Sequence, residues 1–115
     1  RLYKADYLRP EQPRTRRALA WSSLLMEKYE DAERLYSWLL ERQPTAADCQ
    51  NAAHLAWLTR SLPEALPLYR RALQLSEAGT PPAALFRADR SFLLSHGLKE
   101  EDLLLAADLL EAHMP

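Results

Sequence analysis

A short stretch near the middle of the chain occurs twice and decides the fold class. It reads YEDAERLY at residues 29–36 and LPEALPLY at residues 62–69, 33 positions later. Both copies contain an alanine four residues before a tyrosine, namely Ala32 and Tyr36 in the first and Ala65 and Tyr69 in the second. Residues four apart lie on one face of an α-helix. The pattern therefore predicts two equivalent helices within an internal repeat.

The composition favours helices along the whole chain. Its 115 residues include 24 Leu and 18 Ala, but no Val and no Ile. Leucine and alanine are strong helix formers, whereas β-strands are enriched in β-branched residues. We therefore expect an all-α fold, and a chain of this length predicts one domain.

Proline and glycine fall mainly between the periodic segments and mark the ends of the predicted helices. The seven predicted helices cover residues 1–9, 14–26, 29–42, 46–59, 62–76, 82–95 and 99–113. Thr45 with Asp48 and Ser61 with Glu64 have the spacing of capping boxes, and Thr80 has the position of an N-cap. Pro67 lies about one turn inside the fifth predicted helix and removes a backbone donor. A kink or a distorted first turn is expected there.

Charge and residue counts argue against several functions. Lys and Arg number 15 against 16 Asp and Glu, which argues against general binding of nucleic acid. No apolar run approaches the roughly 20 residues that span a bilayer. The two glycines are too few for a glycine-rich phosphate loop, and the three histidines lack the spacing of zinc ligands. We expect no cofactor, no metal, no membrane insertion and no enzymatic activity.

Two further expectations concern the single cysteine and the first residue. Cys49 is the only cysteine, so no intramolecular disulfide can form, and we expect a small buried residue. A cytoplasmic location is expected because nothing calls for an oxidising compartment. The chain begins at Arg1 rather than Met, which indicates a processed or trimmed piece.

The repeat, with its Ala-x-x-x-aromatic element and the closing Pro44, resembles the tetratricopeptide repeat. The resemblance implies helical hairpins stacked in a right-handed superhelix. Within one domain over 1–115, it divides the chain into the second helix of a truncated repeat (1–10), two repeats (13–44 and 45–77) and a divergent C-terminal hairpin (80–115). The stretch from Pro44 to Leu73 also resembles an uncharacterised group of bacterial repeat proteins, seen mostly in Bacteroidetes.

The resemblance further implies a protein-interaction scaffold whose concave groove binds a peptide or a partner protein. Alignment of the first helices on a common frame gives the groove candidates Arg17, Trp21, Asn51, His54, Trp57 and Arg87. In chaperone-binding members, basic and asparagine side chains clamp a terminal carboxylate, a role that Arg17, Asn51 and Arg87 would resemble. Trp21 stands where that clamp needs asparagine.

Most of these candidates have a second interpretation that does not involve a partner. The two tryptophans fit ordinary core packing, and His54 fits a packing histidine. Arg17 lies four residues before Trp21, so it is either solvated or stacked on that ring.

A homo-oligomerising assembly module is the alternative function, in which the open first repeat and the last helix form a homodimer. A bacterial secretion-type chaperone is a related variant of this alternative. The last predicted helix has an apolar band wider than one stripe, over residues 103–110. Such a band fits a deeply buried helix, which we expect, or a helix with a second interface.

Overall fold

A computed structural model of the chain describes residues 12–112. Within that range the chain forms seven helices and no strand, which confirms the all-α class. The helices are α1 (Pro13–Leu25), α2 (Tyr29–Leu40), α3 (Ala46–Thr59), α4 (Leu62–Leu75), α5 (Ala84–Arg87), α6 (Arg90–Ser95) and α7 (Glu100–Ala112). The predicted helix over residues 1–9 lies outside the described residues.

Helices α1 to α4 pack mainly against their neighbours in sequence. Helix α1 contacts α2, α2 contacts α3, and α3 contacts α4, while α7 lies against α4. Connections as short as those between α1 and α2 favour antiparallel hairpins. The repeated alanines, Ala32 and Ala65, are both 0% exposed. They therefore occupy equivalent positions within the packed helices.

Two apolar clusters form the core, and α3 contributes to both. The first cluster joins α1 and α2 to Ala52 and Leu55 of α3. The second joins Cys49, Ala53 and Ala56 of α3 to α4, α5, α6 and α7. The small residues on α3 allow neighbouring helices to approach closely. The prediction that Cys49 is buried is confirmed, and its thiol forms no disulfide.

The predicted start of α3 is confirmed in atomic detail. Thr45 Oγ1 accepts a hydrogen bond from the Asp48 N–H at 3.1 Å, and Asp48 Oδ2 accepts one from the Thr45 N–H at 3.0 Å. This is the reciprocal capping box. Ser61 likewise caps α4 by accepting from the Glu64 N–H at 3.4 Å. Helix α4 continues through Pro67 to Leu75.

The prediction of one helix over residues 82–95 is wrong, because the structure has two short helices there, α5 and α6. Ala88 and Asp89 separate the two short helices. Thr80 is not an N-cap, since its hydroxyl donates to the Glu77 carbonyl at 2.7 Å and α5 begins only at Ala84. The Asp89 carboxylate binds side chains of α3, and this long-range contact accompanies the break.

The deep burial expected for the last helix is also wrong. Leu103, Ala106 and Leu110 are buried on one side of α7, whereas Leu104 is 61% and Leu105 is 52% exposed. Helix α7 packs by one side only within the described chain. Its apolar band therefore continues onto the surface.

None of the helices in residues 12–112 combines the length and the apolar character that crossing a membrane requires.

The turn between α1 and α2 places a glutamate in a backbone conformation that favours glycine. Glu27 has φ of 60°. The Lys28 N–H bonds to the Ser23 carbonyl at 2.8 Å, and the Glu27 N–H bonds to the Leu24 carbonyl at 3.1 Å. These two bonds form a Schellman motif, in which glycine usually occupies the left-handed position.

We predict that Glu27→Gly raises the free energy of unfolding by about 1 kcal/mol, because relief at positive φ outweighs the extra freedom of glycine in the unfolded chain. Glu41→Gly is the matched control, since Glu41 ends α2 with φ of −78°. It should lower the stability by about 0.5 kcal/mol. Urea unfolding followed by circular dichroism measures both, and equal destabilisation by the two changes would contradict this account of the turn.

Candidate functional site

Arg17 and Asp48 join α1 to the beginning of α3. Arg17 Nε donates to Asp48 Oδ1 at 2.6 Å, and Nη2 donates to Oδ2 at 2.8 Å. The Asp48 side chain is 1% exposed, whereas that of Arg17 is 33% exposed. This bidentate geometry holds the guanidinium in one orientation. Arg17 is therefore a fixed cation at the surface between the two helices.

The pKa values of this pair follow from its surroundings. Burial disfavours the charged form of Asp48, but the hydrogen bonds from Arg17 and Thr45 outweigh burial and lower the pKa of Asp48. The hydrogen bond to Asp48 in turn raises the pKa of Arg17. Both groups are charged at neutral pH, so the contact is an ion pair.

His54 is fully buried within a second polar network. Its Nδ1 lies 2.6 Å from the Tyr69 hydroxyl, and its Nε2 lies 3.0 Å from Asp89 Oδ2. A carboxylate only accepts, so Nε2 carries a hydrogen, and in a neutral ring Nδ1 accepts from Tyr69. Gln50 Nε2 donates to the same Asp89 oxygen at 3.1 Å and to the Leu85 carbonyl at 2.9 Å.

This network connects α3 to α4 and to the segment that contains α5 and α6. The hydrogen bond from His54 lowers the pKa of Asp89 against the opposing effect of burial. Burial raises the pKa of Tyr69 well above its ordinary value. At 0% exposure, the His54 side chain has its polar contacts inside the protein. The structure therefore supports the interpretation of His54 as a packing histidine.

The two tryptophans are half-buried and contact different parts of the chain. Trp57 meets Tyr69 and Phe86 edge-on, with ring centroids 6.2 and 5.9 Å apart. Trp21 on α1 lies 5.9 Å from Phe92 on α6. Trp57 thus packs at the edge of the second core cluster. Trp21 packs against α6 on the same face of α1 as Arg17.

Asn51 is half-buried and lies on α3, three residues after Asp48. It is close to the Tyr36 hydroxyl, which is buried and has no hydrogen-bond partner of regular geometry. Burial raises the pKa of Tyr36, and the Asn51 amide offsets part of the rise. Arg17, Trp21 and Asn51 therefore lie on the adjoining surfaces of α1 and α3. We call these three residues the α1–α3 face.

Arg87 has a different location from the other candidates. It is exposed and lines a cleft between α5 and α7, together with Leu103 and Leu104. Arg17 was predicted to be either solvated or stacked on Trp21, and the structure instead pairs it with Asp48. The cation–π contacts that the structure shows join Arg16 and Arg42 to Trp38, at 4.5 and 3.9 Å.

Sequence reasoning missed the acidic partners of the site. Asp48 and Asp89 lie 31 and 35 residues from the side chains they bind, Arg17 and His54. The separation of Arg17 and Asp48 is close to the repeat length. An alignment of the two repeats could therefore have suggested that these residues contact each other. Nothing in the local sequence marks Asp89. Within residues 12–112, no group of three or more His, Cys, Asp or Glu side chains could hold a metal ion.

Comparison of the chain with protein-family models, with curated proteins and with solved structures finds no match.

We predict that Arg17→Ala lowers the free energy of unfolding by about 2–3 kcal/mol at pH 7, because it leaves the Asp48 carboxylate buried without its cation. The folded pKa of Asp48 lies below its unfolded value, so the pairing stabilises the fold above the unfolded value and is lost as the pH falls through the folded one. The difference between wild type and variant should therefore shrink below about pH 4.

Urea unfolding across this pH range is the measurement. Arg14→Ala is the control, because Arg14 is exposed on the same helix, and it should change stability by less than about 0.5 kcal/mol. A difference between wild type and Arg17→Ala that stays constant with pH would count against the ion pair.

We predict that Asp89→Ala costs about 1–3 kcal/mol, because it removes the acceptor of the buried His54 N–H. Asp89→Asn keeps one acceptor oxygen and should cost less. Glu77→Ala, at an exposed carboxylate, is the control. Chemical denaturation ranks the three variants, and ¹⁵N NMR of His54 should show the hydrogen on Nε2. Equal stability of Asp89→Ala and Glu77→Ala would refute the role given to this network.

Proposed function

We propose that the chain is a protein-interaction module of the tetratricopeptide-repeat class. The buried alanines and tyrosines of the two repeat copies, and the packing of successive long helices, support this assignment. Hairpins of this kind bury their apolar sides against their neighbours and leave a curved surface for a partner. In this proposal the α1–α3 face belongs to that surface.

The single observation that carries the proposal is the fixed, partly exposed guanidinium of Arg17, four residues before the half-buried Trp21 on the same face of α1. Asp48 occupies Nε and Nη2 of Arg17, and no residue in the described part of the chain bonds to Nη1, which can donate to a carbonyl or carboxylate of a partner. A side chain already held in place loses little conformational entropy on binding. The arrangement is therefore suited to binding a carbonyl or carboxylate group of a partner protein.

Trp21 and Asn51 supply complementary contacts to a bound segment. A tryptophan offers a large apolar area and is enriched among residues that dominate binding energy. An asparagine amide can donate to and accept from the backbone of an extended peptide. The proposed ligand is therefore an extended partner segment with one apolar side chain on Trp21 and its backbone at Asn51. A secretion-type chaperone would use the same face for its substrate.

A photo-crosslinking amino acid at position 51 tests this proposal in the cells from which the chain comes. We expect a discrete crosslinked partner from position 51 and none from position 34, since Arg34 is on α2 with its side chain 71% exposed. Trp21→Leu should abolish the crosslink while circular dichroism stays that of the wild type, because leucine retains apolar packing against Phe92. Equal crosslinking from the two positions, or full crosslinking in a folded Trp21→Leu variant, would reject the proposal.

A further inference from the structure

Helix α7 presents apolar side chains on the side that faces away from the core. Leu104 and Leu105 are 61% and 52% exposed, opposite the buried Leu103, Ala106 and Leu110. A cleft of about 170 Å³ lies beside Leu104. Its apolar wall consists of Ala83, Phe86, Leu103, Leu104 and Ala107. Neighbouring exposed leucines next to an apolar cleft mark a surface that association can cover.

Acidic side chains lie on α7 beside these leucines, whereas basic side chains lie across the cleft. Glu101, Asp108 and Glu111 are exposed on the same side of α7 as Leu104 and Leu105, and α7 contains no basic residue. Arg87 lies at the cleft, exposed, and the described residues provide it with no hydrogen bond or ion pair. Arg90, in contrast, binds Glu100. One surface thus carries both exposed acids and Arg87, which is unpaired among residues 12–112.

We propose that two copies of the chain associate through α7 as a symmetric dimer. Leu104 and Leu105 of the two copies pack together, and Arg87 of each copy pairs with the α7 acids of the other. A two-fold axis is required because both complementary groups belong to the same surface, so each contact occurs twice. The proposal is independent of the proposed function, since none of these residues belongs to the α1–α3 face.

A second copy fits this surface better than an unrelated partner because the surface is complementary to itself. Arg87 has no acidic partner within residues 12–112, and the acids on the exposed side of α7 lie next to the exposed leucines. Opposite charges at the rim of an apolar patch select the orientation of the two copies. An acidic, apolar helix of another protein would satisfy the same cleft, and the measurement below distinguishes it.

Sedimentation equilibrium of the purified chain tests the dimer. We expect a monomer–dimer equilibrium in the micromolar range, and Leu104→Glu should raise the dissociation constant at least about tenfold. Leu75→Glu is the matched control, because Leu75 is a leucine with 49% exposure on α4. A monomer at every concentration up to several hundred micromolar, or equal weakening by both leucine changes, would overturn the proposal.

A charge exchange tests the two-fold arrangement itself. Arg87→Glu alone, and Glu101→Arg with Asp108→Arg, should each weaken self-association, because each places like charges opposite one another. An equimolar mixture of these two variants should form a heterodimer, since one ion-pair contact is then restored with reversed charges and the other with its native charges. Failure of the mixture to associate, although each variant is folded by circular dichroism, would contradict the proposed pairing and indicate that α7 serves a different partner.

Discussion

Burial of α3 on more than one side is the constraint on which the rest of the structure depends. Seven of its 14 residues are buried, and it contributes to both apolar clusters. Ala52 and Leu55 contact the cluster of α1 and α2, whereas Cys49, Ala53 and Ala56 contact the cluster that continues to α7. Larger side chains at these small positions would separate the helices. The helix thus acts as a wall shared by the two halves of the core.

A helix buried on several sides must find partners for its polar residues, because an unpaired buried polar group is costly. Asp48 forms an ion pair with Arg17 of α1, which precedes α3 in the chain. His54 forms a hydrogen bond with Asp89, which follows α3. Helical structure is interrupted between α5 and α6, at the position of Asp89. The first contact fixes the guanidinium of Arg17, and the second attaches to α3 the segment whose Phe92 lies against Trp21. The polar contacts of α3 therefore contribute both to the stability of the fold and to the geometry of the proposed binding face.

The parts of the fold that could be predicted are those with local causes. The capping box at Thr45 and the prolines near the helix ends lie next to the boundaries that they determine. The five long helices, α1 to α4 and α7, were predicted to within a few residues. The break at Asp89 and the partner of Arg17 depend on residues 35 and 31 positions away. The spacing of Arg17 and Trp21 places them on one face of α1, but no local pattern shows that His54 is enclosed. The exposure of Leu104 depends on what packs against α7, which periodicity does not reveal.

Native-state hydrogen exchange of the backbone amides tests the central role of α3 most directly. If α3 is the wall shared by both clusters, its amides in residues 50–58 can exchange only when the whole fold opens. They should then show the highest opening free energy of the chain, equal to the global free energy of unfolding. The amides of α1 and α7, which the described residues cover on one side only, should exchange through smaller openings. Faster exchange in α3 than in α1 or α4 would contradict the account.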